Sequence, residues 1–256
     1  MSQASPLLEV RGACKRYGAV VALDGVSLDV RRGEVLALLG DNGAGKSTLI
    51  KAISGVHHLD AGTITLDAVE ITNANAMTVR SHGIETVYQD LALFDNLAPA
   101  ANFFAGRELC EPRWLPRALR LLRHREMTAR TAELLDRLQI SLSDFEAPVA
   151  RMSGGQRQAV AVARAIAFSS KVVILDEPTA ALGLRESARV LDLIRRLKAD
   201  GVAVILISHS LDHVMAVADR ALVLRRGRTV GEAAPTAENH EQLVAWIVGA
   251  AGSQAA

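Results

Sequence analysis

Cysteine is nearly absent from this chain, with only Cys14 and Cys110 in 256 residues. Neither stands at a metal-ligand spacing, so a thiolate metal centre is excluded and the thiols read as reduced and incidental. An excess of charge is lacking too. Lys and Arg total 29 against 28 Asp and Glu, a formal net charge of +1, whereas nucleic-acid binders usually carry a basic surplus. No apolar run approaches the roughly 20 residues that cross a bilayer. The opening Met1-Ser2-Gln3-Ala4-Ser5-Pro6 has neither the basic nor the apolar region of a signal peptide. The expectation is a cytoplasmic protein whose membrane role, if it has one, comes through a partner. No internal repeat is visible. What is present is an ordinary globular balance, 50% hydrophobic and 22% charged, in a chain long enough for one large domain or a core with a subdomain.

Against that background one stretch stands out: Gly40-Asp41-Asn42-Gly43-Ala44-Gly45-Lys46-Ser47 fits the pattern Gly, any four, Gly-Lys-Ser/Thr. The apolar run Val35 to Leu39 precedes it, and a helix-competent stretch from Ser47 through Ile53 follows. Strand, glycine loop and helix in that order make a phosphate cradle. Glycines let backbone N–H groups converge on an anion, and the helix N-terminus adds partial positive charge. Lys46 would reach β- and γ-phosphates, and the Ser47 hydroxyl would ligate Mg²⁺.

Further short apolar runs read as strands: Leu7–Val10, Val26–Val30, Ile84–Tyr88, Val172–Leu175 and Val202–Ile207. The second alternates, so one face should be wet. Helical stretches separate them, with Val190, Leu193, Ile194 and Leu197 forming one apolar stripe. This alternation implies a parallel sheet covered on both faces. Ala221–Val230 reads as a hairpin turning at Arg226-Gly227, and Leu97–Phe168 as a helical insert that includes a helix over Arg125–Leu138. The tail from Gly249 should fray.

Open parallel sheets bind ligands at the carboxyl ends of their strands. Four apolar runs here end in polar candidates: the glycine loop, Gln89, Asp176-Glu177 and Ser208-His209. Asp176 would hold the Mg²⁺ shell, and Glu177 is the candidate general base or water-orienting group. His209 is placed to contact the γ-phosphate, and Gln89 to ligate metal or orient water.

A second anion-ready helix start lies at Met152-Ser153-Gly154-Gly155-Gln156. Ser153 is a good N-cap, and a helix over Gln156–Phe168 follows. Ala159, Val162, Ala163 and Ile166 give its buried stripe, while Arg157 and Arg164 lie opposite.

Tyr17, Gly40–Ser47, Gln89, Ser153-Gly154-Gly155-Gln156, Val172–Pro178 and His209 occur in an order that resembles the ATP-binding cassette ATPases. The match covers nearly the whole chain, with Met152 where the family signature usually has Leu. The resemblance implies an α/β P-loop NTPase (RecA-like) fold: a mainly parallel sheet, an N-terminal antiparallel β portion and an inserted α-helical subdomain. It implies a single nucleotide-binding domain, with core 1–96 and 169–248, a helical subdomain at about 97–168 and a flexible tail at 249–256. ATP and Mg²⁺ would be used by a head-to-tail dimer, each ATP lying between one copy's P-loop (Gly40, Asn42, Gly43, Ala44, Gly45, Lys46, Ser47, Thr48) and the other's Ser153, Gly154, Gly155 and Gln156. Tyr17 resembles the aromatic residue that stacks on adenine. Catalysis would fall to Glu177, His209 and Gln89, and metal binding to Ser47, Gln89 and Asp176.

The stretches from Gly40 to Lys51, Val87 to Leu93 and Thr179 to Gly183 look like the monosaccharide-importer branch. That branch implies integral membrane permease subunits as partners, a periplasmic sugar-binding protein acting indirectly, no nucleic acid, and a position on the inner face of the cell membrane. Phe94, Phe103 and Phe104 would form the permease dock. Gly183 departs from the family, which often has Asp there, so cross-dimer coupling should be weaker or differently built. A soluble ATPase of the family working on DNA or ribosomes is the alternative. It usually carries paired cassettes, coiled coils or basic extensions; Arg113–Arg125 is the one basic run here and reads as a solvated helix face. A small-molecule P-loop kinase would need no second helix start.

Overall fold

The computed structural model describes residues 5–112, 114, 116, 121–137, 140, 142, 144–168, 171–180 and 182–250. The chain opens with a long hairpin, β1 (Leu8–Tyr17) and β2 (Val20–Val30). The Leu7–Val10 and Val26–Val30 runs are only its apolar ends; exposed, charged positions such as Arg11 and Arg16 lengthen it beyond what apolar pattern reveals. After β3 (Val35–Leu39) and α1 (Lys46–Ile53) come β4 (Ala61–Leu66) and β5 (Val69–Glu70). These complete a four-stranded antiparallel sheet in the order β2-β1-β4-β5.

Next in sequence are α2 (Ala76–Ser81), β6 (Ile84–Val87), α3 (Pro99–Phe103), the short pair β7 (Cys110–Glu111) and β8 (Leu121–Leu122), and α4 (His124–Arg137). The strand pair β7–β8 corrects the expectation of a purely helical insert, and places part of the basic run in a strand. Arg113, Leu115 and residues 117–120 of that run lie outside the described residues, as do Leu138 and the tail from 251. The chain closes with α5 (Gly154–Phe168), β9 (Val172–Asp176), α6 (Leu184–Ala199), β10 (Ala203–Ile207), α7 (Leu211–Val217), β11 (Arg220–Arg225), β12 (Arg228–Ala233) and α8 (His240–Val248). Gly249, at φ 77°, ends α8 in the left-handed conformation.

The second sheet runs β12-β11-β3-β10-β9-β6, and every pairing but β11–β12 is parallel. All five residues of β3 and of β10 are buried, as strands covered on both faces require. Alternate residues feed two cores. Leu36, Leu38, Ile174, Ile205 and Ile207 join α1 and the antiparallel sheet. Val35, Val173, Leu175, Val204 and Leu206 meet α5 and α6. A third core, with Phe103, Phe104, Met127 and Leu135, lies among α3, α4 and α5. Helix α5 serves both neighbours, giving Ala161, Val162 and Ala165 to the second core and Val160 and Ala163 to the third. It is therefore buried on two sides, where a single stripe is expected from its sequence.

Arg220 fastens the two sheets together. It donates to Glu232 Oε1 at 2.5 Å, Glu34 Oε1 at 2.7 Å and Asp29 Oδ1 at 3.1 Å, tying β11 to β12, to the entry of β3 and to β2. These carboxylates, Glu232 first, hold its guanidinium above the usual arginine range against the cost of burial. Truncation would strand Glu34, whose side chain is only 9% exposed. Arg220→Ala should therefore lose about 2–3 kcal/mol in urea denaturation; a loss under about 0.5 kcal/mol, the size of an exposed pair, would show that the network is surface decoration.

Candidate active site

The glycine loop turns tightly. Ala44 N–H bonds Asp41 O at 3.1 Å, and Asn42 N–H bonds Asp41 Oδ1 at 2.7 Å. Gly40 (φ 144°) and Gly45 (φ 107°) leave no room for a side chain: an added Cβ would sit 2.2 Å from Leu224 O at the first and 2.6 Å from Ala22 O at the second. The loop is thus pressed between the β1–β2 hairpin and β11, with Gly227 N–H bonded to Ala44 O at 2.9 Å. A Cβ added at Gly43 would meet nothing within 4 Å, so the cradle is open there.

Lys46 is buried, and its Nζ donates to the carbonyls of Gly40 at 2.7 Å and Asp41 at 3.1 Å. Burial lowers its pKa, while the charges of Glu177, Asp176 and Asp41 oppose that fall. Asp176 ends β9 in the opposite predicament. Burial raises its pKa, the adjacent Glu177 raises it further, and Lys46 is the strongest opposing charge. The Lys46 ammonium and the Asp176 carboxylate are therefore both desolvated, and each feels the charge of the other. Ser47 and Asn42 are exposed and Thr48 half-buried at the same loop.

Glu177 takes a left-handed conformation, φ 53°, rare for a residue with a side chain. Its N–H bonds Ile207 O at 3.0 Å, and its Oε1 lies 2.7 Å from His209 Nε2. The backbone thus turns the carboxylate to meet the histidine at the end of β10. Ser208 supports that turn, its Oγ accepting from Ser210 N–H at 3.1 Å. Gln89 is exposed just beyond β6, on a turn closed by Leu91 N–H to Tyr88 O at 2.9 Å. The Tyr88 hydroxyl lies 2.9 Å from Ser54 Oγ at the end of α1. β3, β10, β9 and β6 are neighbours in that order. All four polar strand ends therefore fall on one edge of the sheet.

Ser153 and Gln156 form a reciprocal cap. Ser153 Oγ accepts from Gln156 N–H at 3.2 Å, and Gln156 Oε1 accepts from Ser153 N–H at 3.0 Å. The helix starts at Gly154, two residues before the expected Gln156. Ser153, Gly155 and Gln156 line a cleft of about 490 Å³ shared with Glu186, Arg189 and Arg196 of α6. None of the described glycine-loop residues lines it, so the two helix starts are separate within one chain. Glu186 lies against Gly155 and Gly183 alike: a Cβ at Gly155 would meet Glu186 Cγ at 2.6 Å, and one at Gly183 would meet Glu186 Oε2 at 2.8 Å. Gly183, the N-cap of α6, therefore lends its space to a neighbouring carboxylate. Ala181 lies outside the described residues.

Tyr17 is 42% exposed at the end of β1, its ring edge-on to His57 with centroids 5.8 Å apart. Two expectations are corrected. Phe103 and Phe104 are 2% and 6% exposed in the helical core and offer no docking surface, leaving Phe94 at 54%. Arg164 does not face solvent; it donates to Ala92 O at 2.8 Å and Leu91 O at 3.1 Å. Sequence reasoning also missed His213, whose Nδ1 lies 3.0 Å from Thr179 Oγ1 and ties the loop after Glu177 to α7. No local motif marks His213; only the fold brings it there.

Among the described residues no group of three or more His, Cys, Asp or Glu would cage a metal. Asp176, buried and destabilised as an anion, is a donor that a cation would relieve. Asp176→Asn should raise the melting temperature of the ligand-free protein near neutral pH, because it removes an ionised carboxylate whose folded pKa is raised. That gain should vanish at acid pH below the ordinary aspartate pKa, where Asp176 is neutral folded and unfolded alike. An unchanged or lower melting temperature at pH 7 would contradict the charge balance described.

The model of the family described as ABC transporter matches residues 23–180. The chain is 48% identical over 226 residues to the xylose/arabinose import ATP-binding protein of Sulfolobus acidocaldarius, covering 88% of this chain and 87% of that protein. It is 47% identical over 246 residues to the fructose import ATP-binding protein of Rhizobium meliloti, covering 96% and 95%. A crystal structure of a nucleotide-free ATP-binding cassette from an ABC transporter superposes with a TM-score of 0.81 at 26% identity, covering 98% of this chain and all of that one. The glycine cradle, the carboxylate pair at the end of β9 and the capped start of α5 thus sit in a chain that belongs to the ABC transporter family, as an ATP-binding cassette.

Proposed function

We propose that this cassette hydrolyses ATP to drive import of a monosaccharide, working as a head-to-tail pair on the cytoplasmic side of permease subunits. The observation that carries the reading is the presence of two anion-ready helix starts, at Lys46 and at Gly154, that share no cleft within one chain. A single triphosphate can use both only if a second copy supplies one of them. The names of the xylose/arabinose and fructose import relatives support a sugar as cargo. No helix among the described residues is long and apolar enough to cross a membrane, so the permease would be a separate protein, fed in turn by a sugar-binding protein outside. Of the three phenylalanines expected to dock, Phe94 is the exposed one. An ATPase directed at DNA or ribosomes gains no support from these relatives, and a kinase reading leaves the capped start of α5 without a role.

In this reading the loop amides and Lys46 hold the β- and γ-phosphates, Lys46 exchanging its two carbonyl partners for phosphate oxygens. Tyr17 offers its ring to the adenine. Ser47, Asp176 and Gln89 would hold Mg²⁺, which would supply neutralising charge to the phosphates. Glu177 orients or deprotonates the attacking water, and His209 at 2.7 Å keeps that carboxylate aimed. Ser153, Gly154, Gly155 and Gln156 of the second copy close on the γ-phosphate. Hydrolysis removes the group that both copies grip, and the pair reopens.

Glu177→Gln should bind ATP and accumulate a dimer in light scattering, with turnover reduced by about 10²–10³. Lys46→Ala should lose binding and stay monomeric. Wild-type turnover in Glu177→Gln would remove Glu177 from the reaction, and a monomer saturated with ATP would sink the paired arrangement.

A further inference from the structure

Leu91 and Ala92 both have positive φ, 60° and 45°. Consecutive left-handed residues with side chains are strained, and such strain persists only where surrounding contacts hold it. Leu91 N–H closes the turn over Gln89 onto Tyr88 O at 2.9 Å, and Leu91 and Leu93 pack on the second core. Asn102 clamps the next stretch through Phe94 N–H and O at 2.7 and 3.1 Å, and the guanidinium of Arg164 takes both strained carbonyls, Ala92 O at 2.8 Å and Leu91 O at 3.1 Å. Its neighbourhood favours this use. Glu85, the nearby carboxylate, is engaged by Arg107 and Arg80, and Arg107 also stacks over Phe168 at 4.6 Å. Arg164 sits on α5, whose start carries the Ser153–Gln156 cap, and α5 is buried on two sides.

We propose that Arg164 is a positioning residue for Gln89: its forked bond to the Leu91 and Ala92 carbonyls fixes the turn that presents Gln89, and links that turn to the helix that begins at Ser153. The inference rests on the role given to Gln89 in the proposed function. Lysine cannot replace this arginine, because one ammonium does not reproduce a planar fork across two carbonyls.

The test is a double-mutant cycle of Arg164→Met and Gln89→Ala, read as kcat and KM for ATP, with melting temperature as the fold control. Methionine keeps the stem that packs in α5 and removes only the fork. Each single variant should lower kcat by roughly 10–100-fold with KM for ATP within about threefold. The double variant should lose no more than about a further twofold, since both remove one arrangement. Arg164→Lys should melt as the wild type yet fail to restore kcat. Multiplicative losses in the double variant, or full rescue by lysine, would overturn the proposal while leaving Gln89 in its role. A Gln89→Ala protein with wild-type kcat would overturn the assignment of Gln89 and the proposal with it.

Discussion

The register of four parallel strands is the constraint from which the site follows. Ile207 on β10 pairs with Leu38 on β3 and with Asp176 on β9, and Val87 on β6 pairs with Leu175. Just beyond these positions come the glycine loop, Ser208-His209, Glu177 and the turn to Gln89. Because side chains alternate across a sheet, a slip by one residue would also exchange the two apolar faces. Ile174 and Ile205 would leave one core while Val173 and Val204 entered it from the other side. Packing thus holds the register, and the register brings together groups separated by more than a hundred residues.

What the register assembles is a set of charges that burial opposes. Lys46 is pushed down by burial and Asp176 is pushed up by it. The lysine gives its hydrogens to two loop carbonyls, and the neighbouring Glu177 turns to His209 through a strained backbone. Preorganised charges of this kind stabilise charge that arrives or develops, and need little rearrangement when it does. In the function proposed above, a triphosphate would add an anion beside the buried Lys46 and a divalent cation would offset the burial of Asp176.

Legibility in the sequence follows the range of the interaction. Glycines whose conformation is dictated within their own loop, the Ser153–Gln156 cap and the buried strands β3, β9 and β10 all declare themselves in short windows. So does the Asp176-Glu177 pair, because Pro178 ends the strand. β4 and most of β1 do not. Their exposed faces carry residues such as Thr63, Arg11 and Arg16, and antiparallel pairing across the hairpin sustains them where apolar content does not. Phe103, Phe104 and Arg164 are hidden for another reason. An amphipathic stripe presumes one wet face, but α5 has a core on either side. A side chain on the supposed outer face then meets protein, as Arg164 does with a carbonyl 72 residues away.

The two-sided burial of α5 also explains how a signal could travel. A helix held by one core can tilt on it; a helix packed into two must move with at least one of them as a block. Its start, capped by Ser153 and Gln156, faces the cleft with α6, where Glu186 already fills the space that side chains at Gly155 and Gly183 would need. The wall of that cleft includes the first turn of α6, which follows β9 and Glu177 by a short loop. Closure of a partner on α5 would therefore press toward the N-terminus of α6 through Glu186, and toward Gln89 through Arg164. An aspartate at 183 would meet only Glu186 Oε2, the free end of a flexible side chain that can swing aside, so the glycine removes a side chain from this cleft without the packing around it requiring that.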